Sequence, residues 1–378
     1  MDNNSSEIKK LVLVIGNGFD LDLGLKTSYK DFCNSQYCPS NYPAPLIRHL
    51  NQKWPDSKDA VRWYDLENEF LNYVKIGDKS DVLSKDEIEY VKKHGDYQLC
   101  NKLNYLGCDE TFQSLYNKGY IEITDRIPRA ATIPFREELA FNSTQRDKKS
   151  FDLIHEGVAS FITKAAEAGA CTDRVAFAIL FCASQFSETG GEVAIHSFNY
   201  TPLPSPYDNS LEKNMFYVHG SCKQKNIVLG TKEFEAPNED YNFLQKAFDV
   251  NHNPSSILDD LQNADDVIIF GHSLGENDDP YFRDFFQQQA VGRKVKKRIT
   301  IFTKSQESEI EIKRSLQRLT GRHLTELRAN NDMAIIKTDD LYGNHKSLMR
   351  FMKQYIQDER YIIPVIKELK TTNNSNTK

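Results

Sequence analysis

Five apolar residues, Leu11-Val12-Leu13-Val14-Ile15, run without alternation and end in Gly16-Asn17-Gly18-Phe19-Asp20. A strand with one wet face alternates apolar and polar side chains. An unbroken run fits a strand buried on both faces, as in a parallel sheet. A strand ending in G-x-G lets the chain turn tightly and bring amide N–H groups close to a bulky anion. The third glycine of the usual fingerprint is absent: Leu21 stands there, and Gly24 is the next glycine. Alone, G-x-G serves a plain β-to-α turn as readily as a phosphate cradle. Its place after the first strand is where nucleotide-binding α/β folds put this loop.

The second half of the chain repeats the theme. Val193 to Asn199, Phe216 to Gly220, Val267 to Ser273, Ile299 to Thr303 and Met333 to Thr338 read as strands. Between them Tyr241 to Phe248, Ser255 to Gln262, Tyr281 to Ala290 and Ser305 to Leu319 read as helical. Such alternation predicts an α/β fold, a Rossmann-like doubly wound parallel sheet with right-handed crossovers. Thr27 or Ser28 can cap a helix through Phe32, Trp63 to Val74 carries an apolar stripe, and Asn41 to Trp54 reads as a loop. From about Ser84 to Ala170 the pattern is helical but less regular, and a strongly apolar helix then runs to the stop at Gly190-Gly191. Leu83 to Cys100, Thr111 to Tyr120, Phe151 to Ala168 and Arg174 to Phe186 are the helices, with the polar stretch Asn142 to Lys149 as an interruption. The expected organisation is an α/β domain from 1–82 and 190–370, a helical insertion or lid at 83–189, a last helix at His345 to Gln357, and a disordered tail at 371–378.

A net charge of −6 argues against a protein that coats nucleic acid. The basic cluster Arg293-Lys294-Lys296-Lys297-Arg298 reads as a solvated turn. No apolar run approaches the roughly 18 residues needed to span a bilayer, so no membrane partner is expected. The polar N-terminus lacks a signal-peptide core. Seven scattered cysteines, with no C-x-x-C and Cys33 and Cys38 as the closest pair, fit a cytoplasmic chain with reduced thiols and no metal site.

Four of the expected strands end in unusual polar residues: Gly16 to Asp20, Ser197-Phe198-Asn199-Tyr200-Thr201, His219-Gly220-Ser221 and Gly271-His272-Ser273. In open α/β sheets ligands bind beyond the carboxyl ends of the strands, so four such turns can meet in one crevice. His219 there can exchange a proton near neutral pH. Asn199 can orient a water or a ribose hydroxyl without ionising. Singly, each also serves as a satisfied core or cap residue. Gly271-His272-Ser273-Leu274-Gly275 also matches the G-x-S-x-G elbow of serine hydrolases, with Asp339 or Asp340 and then His345 in that fold's triad order. Against it, Glu276-Asn277-Asp278-Asp279-Pro280 reads as a loop and helix cap, where the elbow leads straight into a helix. Enrichment of Asp at that helix start is favoured by the macrodipole.

The stretch Leu13 to Leu21 followed by Gly24-Leu25-Lys26-Thr27-Ser28-Tyr29-Lys30-Asp31-Phe32 resembles the opening of the AbiH family of phage abortive-infection proteins. Trp63 with Leu66-Glu67, Ser197 to Thr201, Val218-His219-Gly220 and Ile269 to Gly275 with Asp278-Asp279-Pro280-Tyr281 continue the resemblance. The layout also looks like a divergent sirtuin-like NAD-binding domain, without the zinc cysteine quartet of the deacetylases. The resemblance implies an antiphage effector that cleaves NAD+ to nicotinamide and ADP-ribose. Asn199 and His219 would be catalytic. Gly16, Asn17, Gly18, Phe19, Asp20, Thr201, Gly271, His272, Ser273 and Asp278 would hold the nucleotide. NAD+ would enter as substrate, with no metal. A homo-oligomer or a phage-derived trigger stays open as a further partner. A serine esterase using Ser273, or a nucleotide-sensing module without turnover, stays open as an alternative function.

Overall fold

A computed structural model describes residues 10–39, 63–76, 143–234, 239–252, 257–292 and 295–342, with scattered shorter pieces between 46 and 132. The expected helices at Leu83 to Cys100, Thr111 to Tyr120 and His345 to Gln357, and the tail Thr371 to Lys378, lie outside the described residues apart from single positions. The chain forms two compact units, one of residues 1–28, 159–228 and 250–378 and the other of residues 29–158 and 229–249. Of the stretch 83–189, residues 159–189 therefore belong to the first unit.

The first unit is built on six parallel strands: β1 (Lys10–Ile15), β4 (Glu192–Ser197), β5 (Met215–Tyr217), β6 (Asp266–Phe270), β7 (Arg298–Thr303) and β8 (Asp332–Lys337). Their order across the sheet is β5-β4-β1-β6-β7-β8. Counting only these six along the chain, this is the 3-2-1-4-5-6 order of dinucleotide-binding doubly wound sheets. The expected α/β Rossmann-like fold is thus observed. Each expected strand is present, with no end moved by more than three residues.

The unbroken apolar run of β1 has a direct cause. Leu11, Leu13 and Ile15 face one layer, where they pack with Ile179, Leu180 and Ala183 of the helix Val175–Glu188. Val12 and Val14 face the other, with Phe282, Phe285 and Phe286 of the helix Asp279–Val291 and with Leu316 and Leu319 of the helix Gln306–Leu319. Every residue of the run is essentially buried. Each such side chain contributes on the order of 1.5–3 kcal/mol of transfer free energy. The edge strands β5 and β8 are only half-buried, so their apolar patterns are weaker.

Helix Gln306–Leu319 starts at Ser305, whose side chain accepts from the Ser308 N–H, the standard way to satisfy a first-turn amide. The basic cluster differs from its expectation where it is described. Lys297 is buried and its Nζ donates to the Gln262 carbonyl at 2.9 Å, while Arg298 pairs with the buried Asp266. The strand start carries these two cations inward, so only part of the cluster is a solvated turn.

In the second unit the helix Trp63–Ile76 buries Leu66, Phe70, Leu71 and Val74 on one face. Phe70 meets Phe151 edge-on at 5.5 Å. The helix carrying Phe151 runs Ser143–Ala166, so the polar stretch expected as an interruption is its first two turns. Asp147 explains this: it is buried and accepts from the hydroxyls of Tyr73 at 2.9 Å and Tyr241 at 2.8 Å. Glu67 and Lys246 form a buried ion pair. The strands β2 (Glu122–Thr124) and β3 (Ala130–Thr132) pair antiparallel. The stretch expected as helix at Tyr241 to Phe248 is two 3₁₀ turns, Glu239–Leu244 and Lys246–Phe248.

Candidate functional site

The site candidates all lie in the first unit. Register brings them to one line. Ile15 pairs with Ser197 on one side and Phe270 on the other, and Ser197 pairs with Tyr217. The four turns that follow these residues therefore leave the sheet at the same level, at its carboxyl edge.

The glycine turn is engaged with its neighbour strand. Gly16 N donates to Phe270 O at 3.0 Å, Gly18 N to Gly271 O at 2.9 Å, and Phe19 N to Gly16 O at 2.8 Å. These three amides hold protein carbonyls, so they are not the N–H groups that a phosphate would meet. The glycines allow the approach. A Cβ on Gly18 would lie 2.7 Å from Gly271 Cα. Gly271 has φ +64°, and a Cβ there would lie 2.3 Å from Phe19 N. The two turns close on each other with no room for a side chain between them. Phe19 belongs to the core, 1 % exposed and edge-on to Phe270 at 5.3 Å.

Asp20 sits beneath this turn, hydrogen-bonded by three side chains, two of which donate to it. Asn199 Nδ2 donates to Asp20 Oδ1 at 2.9 Å and Thr201 Oγ1 to Asp20 Oδ2 at 2.6 Å, and Thr27 bonds the same carboxyl. Asn199 Nδ2 also donates to Gly16 O at 2.9 Å. Both hydrogens of the Asn199 amide thus fasten the end of β4 to the turn after β1. Burial raises the Asp20 carboxyl to about 7, and the bonds from Thr201, Asn199 and Thr27 offset only part of that. Asn17 accepts from Thr27 Oγ1 at 2.8 Å, steadying the same loop.

A second cluster surrounds Asp278. His219 Nε2 lies 3.4 Å from Asp278 Oδ1, and His272 Nε2 lies 3.3 Å from Asp278 Oδ2. One carboxylate bridges two nearly buried imidazoles. His272 Nδ1 accepts from Leu274 N at 3.0 Å. That bond assigns the His272 proton to Nε2, facing the carboxylate. Phe198 lies edge-on to both rings, 5.4 Å from His219 and 4.3 Å from His272, and stacks on Phe282 at 5.5 Å. Tyr281 lies 6.0 Å from His219. An aromatic wall of this kind excludes water and strengthens charge interactions inside it.

The loop carrying Asp278 is fastened from behind. Arg318 on the helix Gln306–Leu319 donates Nη2 to Leu274 O at 2.7 Å and pairs with Asp279. Leu274 has φ +51°, an uncommon value for a branched side chain. Ser273 is not at an elbow: the 3₁₀ turn Glu276–Asp278 follows, and the helix begins only at Asp279. Its carbonyl accepts from Ser315 Oγ at 3.2 Å. Asp339 and Asp340 lie at the start of the helix Thr338–Tyr342, where Asp340 pairs with Lys337; His345 lies outside the described residues. Among the described residues no group of three or more His, Cys, Asp or Glu side chains is arranged to hold a metal ion. Among the same residues no helix is long and apolar enough to cross a membrane.

Sheet order and turns define an α/β protein of the Rossmann-like class, with a histidine–carboxylate cluster at the carboxyl edge of its central strands. The family model described as "Bacteriophage abortive infection AbiH" matches residues 12–302, a span running from β1 into β7. The chain belongs to the AbiH family, which suggests a role in phage abortive infection. No curated protein matches the chain.

Proposed function

We propose that the chain acts in abortive infection by hydrolysing NAD+ to nicotinamide and ADP-ribose. The observation that carries this reading is the His219–Asp278–His272 cluster, standing at the edge of a sheet with dinucleotide-binding strand order. In N-glycosidic cleavage the bond from ribose C1′ to the pyridinium nitrogen breaks. The electron pair stays on nitrogen, and positive charge develops on the ribose. Water then adds at C1′ and gives up a proton.

His219 would receive that proton, and Asp278 between the two rings would stabilise the imidazolium formed. Asn199 holds the turn with its amide hydrogens, so it would orient the attacking water through its side-chain oxygen. Thr201 and Asp20 would keep that amide in place. Ser273 has no covalent part in this scheme.

The test is to induce the parent, His219→Ala and Asp278→Asn in phage-challenged cells, and to follow NAD+ and growth together. The parent should lose NAD+ before growth stops. Each variant should slow that loss on the order of 10²- to 10⁴-fold, as removal of a positioned acid–base group does, with a cooperative thermal melt showing that it is folded at the assay temperature. Growth arrest by the parent with NAD+ untouched would refute the hydrolase and leave a nucleotide-sensing module as the better account.

A further inference from the structure

We propose that Cys33 and Cys38 form a reversible thiol–disulfide site, oxidised by a peroxide to an intramolecular disulfide and restored by a dithiol. Both residues lie in the second unit, at the end of the helix Tyr29–Cys33 and in the turn behind it. The turn folds back on the helix through Asn34 N to Lys30 O at 3.2 Å, Ser35 N to Phe32 O at 2.9 Å and Cys38 N to Ser35 O at 3.3 Å. Tyr37 N donates to Ser35 Oγ at 3.2 Å, closing it further. This geometry brings the two thiols into hydrogen-bond contact with each other, and the Tyr29 hydroxyl bonds Cys33 as well. Both thiols are reduced and neither is fully buried, so a small oxidant can reach them.

Cys33 differs from the buried Cys182 and the half-buried Cys222. The bonds from Cys38 and Tyr29 hold the Cys33 thiol below its ordinary range despite partial burial. Burial pushes the Cys182 thiol up to about 12 and raises that of Cys222. Thiolate is the nucleophile in thiol oxidation, so Cys33 is the attacking member. Its sulfur attacks one peroxide oxygen, the O–O bond breaks, and hydroxide leaves. Cys33 is then a sulfenic acid, oxidised by two electrons. The Cys38 sulfur, losing its proton, attacks Cys33 sulfur; the S–S bond forms, the S–O bond breaks, and water leaves. In sum two thiols and one hydrogen peroxide give one disulfide and two waters.

The experiment treats the full chain with hydrogen peroxide, blocks remaining thiols with iodoacetamide and digests with trypsin. No Lys or Arg lies between the two cysteines, so both fall in the peptide from Asp31 to Arg48. That peptide should appear lighter by two hydrogens and unalkylated, and dithiothreitol pretreatment should restore alkylation at both positions. In Cys38→Ser, Cys33 should stop at the sulfenic acid and be trapped by dimedone. Tyr29→Phe should slow alkylation of Cys33 several-fold. Full alkylation of Cys33 and Cys38 in the oxidised parent, with the exposed Cys171 modified first, would overturn the proposal. So would a disulfide found only between chains.

Discussion

Replacing Asp20 by Asn probes the interior of the site through its proton balance. Asp20 is 4 % exposed, and its carboxyl ionises near 7 in the folded chain against 3.8 in its unperturbed state. Between those values the native state holds a proton that the unfolded chain has lost. The stability carried by protonated Asp20 is fully present below the unfolded value and is lost as pH rises through about 7. At 1.36 kcal/mol for each tenfold change in proton affinity, raising the carboxyl from 3.8 to about 7 is worth about 4 kcal/mol over the whole window, of which about 2 kcal/mol falls between roughly pH 5.5 and 7. Asn has the shape of the acid and no proton to lose. Its oxygen can accept from Asn199, and its N–H can donate to Thr201 Oγ, because a hydroxyl both donates and accepts. Paired thermal melts of parent and Asp20→Asn across this range should therefore diverge. Groups common to both proteins cancel in the difference, and the variant should gain on the parent as pH rises. Parallel profiles, or a parent that gains on the variant with rising pH, would refute the reasoning.

Gly18→Ala sets a Cβ 2.7 Å from Gly271 Cα and 3.0 Å from Gly271 O, backbone that cannot swing aside; melts should show a loss of about 1–3 kcal/mol. Asn199→Ala strips the donors from Gly16 O and Asp20 Oδ1, which at about 1–2 kcal/mol for each buried bond should also lower stability. A fall in activity in that variant should therefore accompany a fall in Tm, whereas Asp278→Asn, which keeps the side-chain shape at a partly exposed position, should leave the melt nearer the parent's. Ser273→Ala should keep its defence activity, and a fluorophosphonate probe should leave Ser273 unmarked; labelling there would restore the esterase.

The strands of the sheet were legible because burial on both faces writes itself as contiguous apolar residues, a local signal. The positions of the four turns followed from it, since parallel strands end on one side. What those turns do to one another was not legible. The need for Gly18 arises from Gly271, more than 250 residues away, and a single sequence carries no mark of that approach. The same holds for Asn199, whose amide type was evident while its partners Gly16 and Asp20 were not. His219, His272 and Asp278 were each visible by position. Their union around one carboxylate depends on the loop from Gly271 to Asp278 folding back, through Leu274 in a left-handed conformation that sequence does not announce. The aromatic wall of Phe198, Tyr281 and Phe282 was missed as site material, although Phe198 stands beside Asn199. Asn142 to Lys149 misled because a helix can bury one polar residue, Asp147, when two tyrosines bond it.

Order of synthesis gives the sheet a further meaning. β1 leaves the ribosome first, yet its neighbours are Val193 and its strand on one side and Asp266 and its strand on the other. This apolar strand waits until residue 192 for its first sheet partner. A polypeptide interrupted before Gly271 would hold the glycine turn, Asn199 and His219 but lack the loop that brings Asp278 to them. Translation cut short before that loop thus leaves the histidine–carboxylate cluster unmade, and chemistry that depends on it begins only once Asp278 has been added.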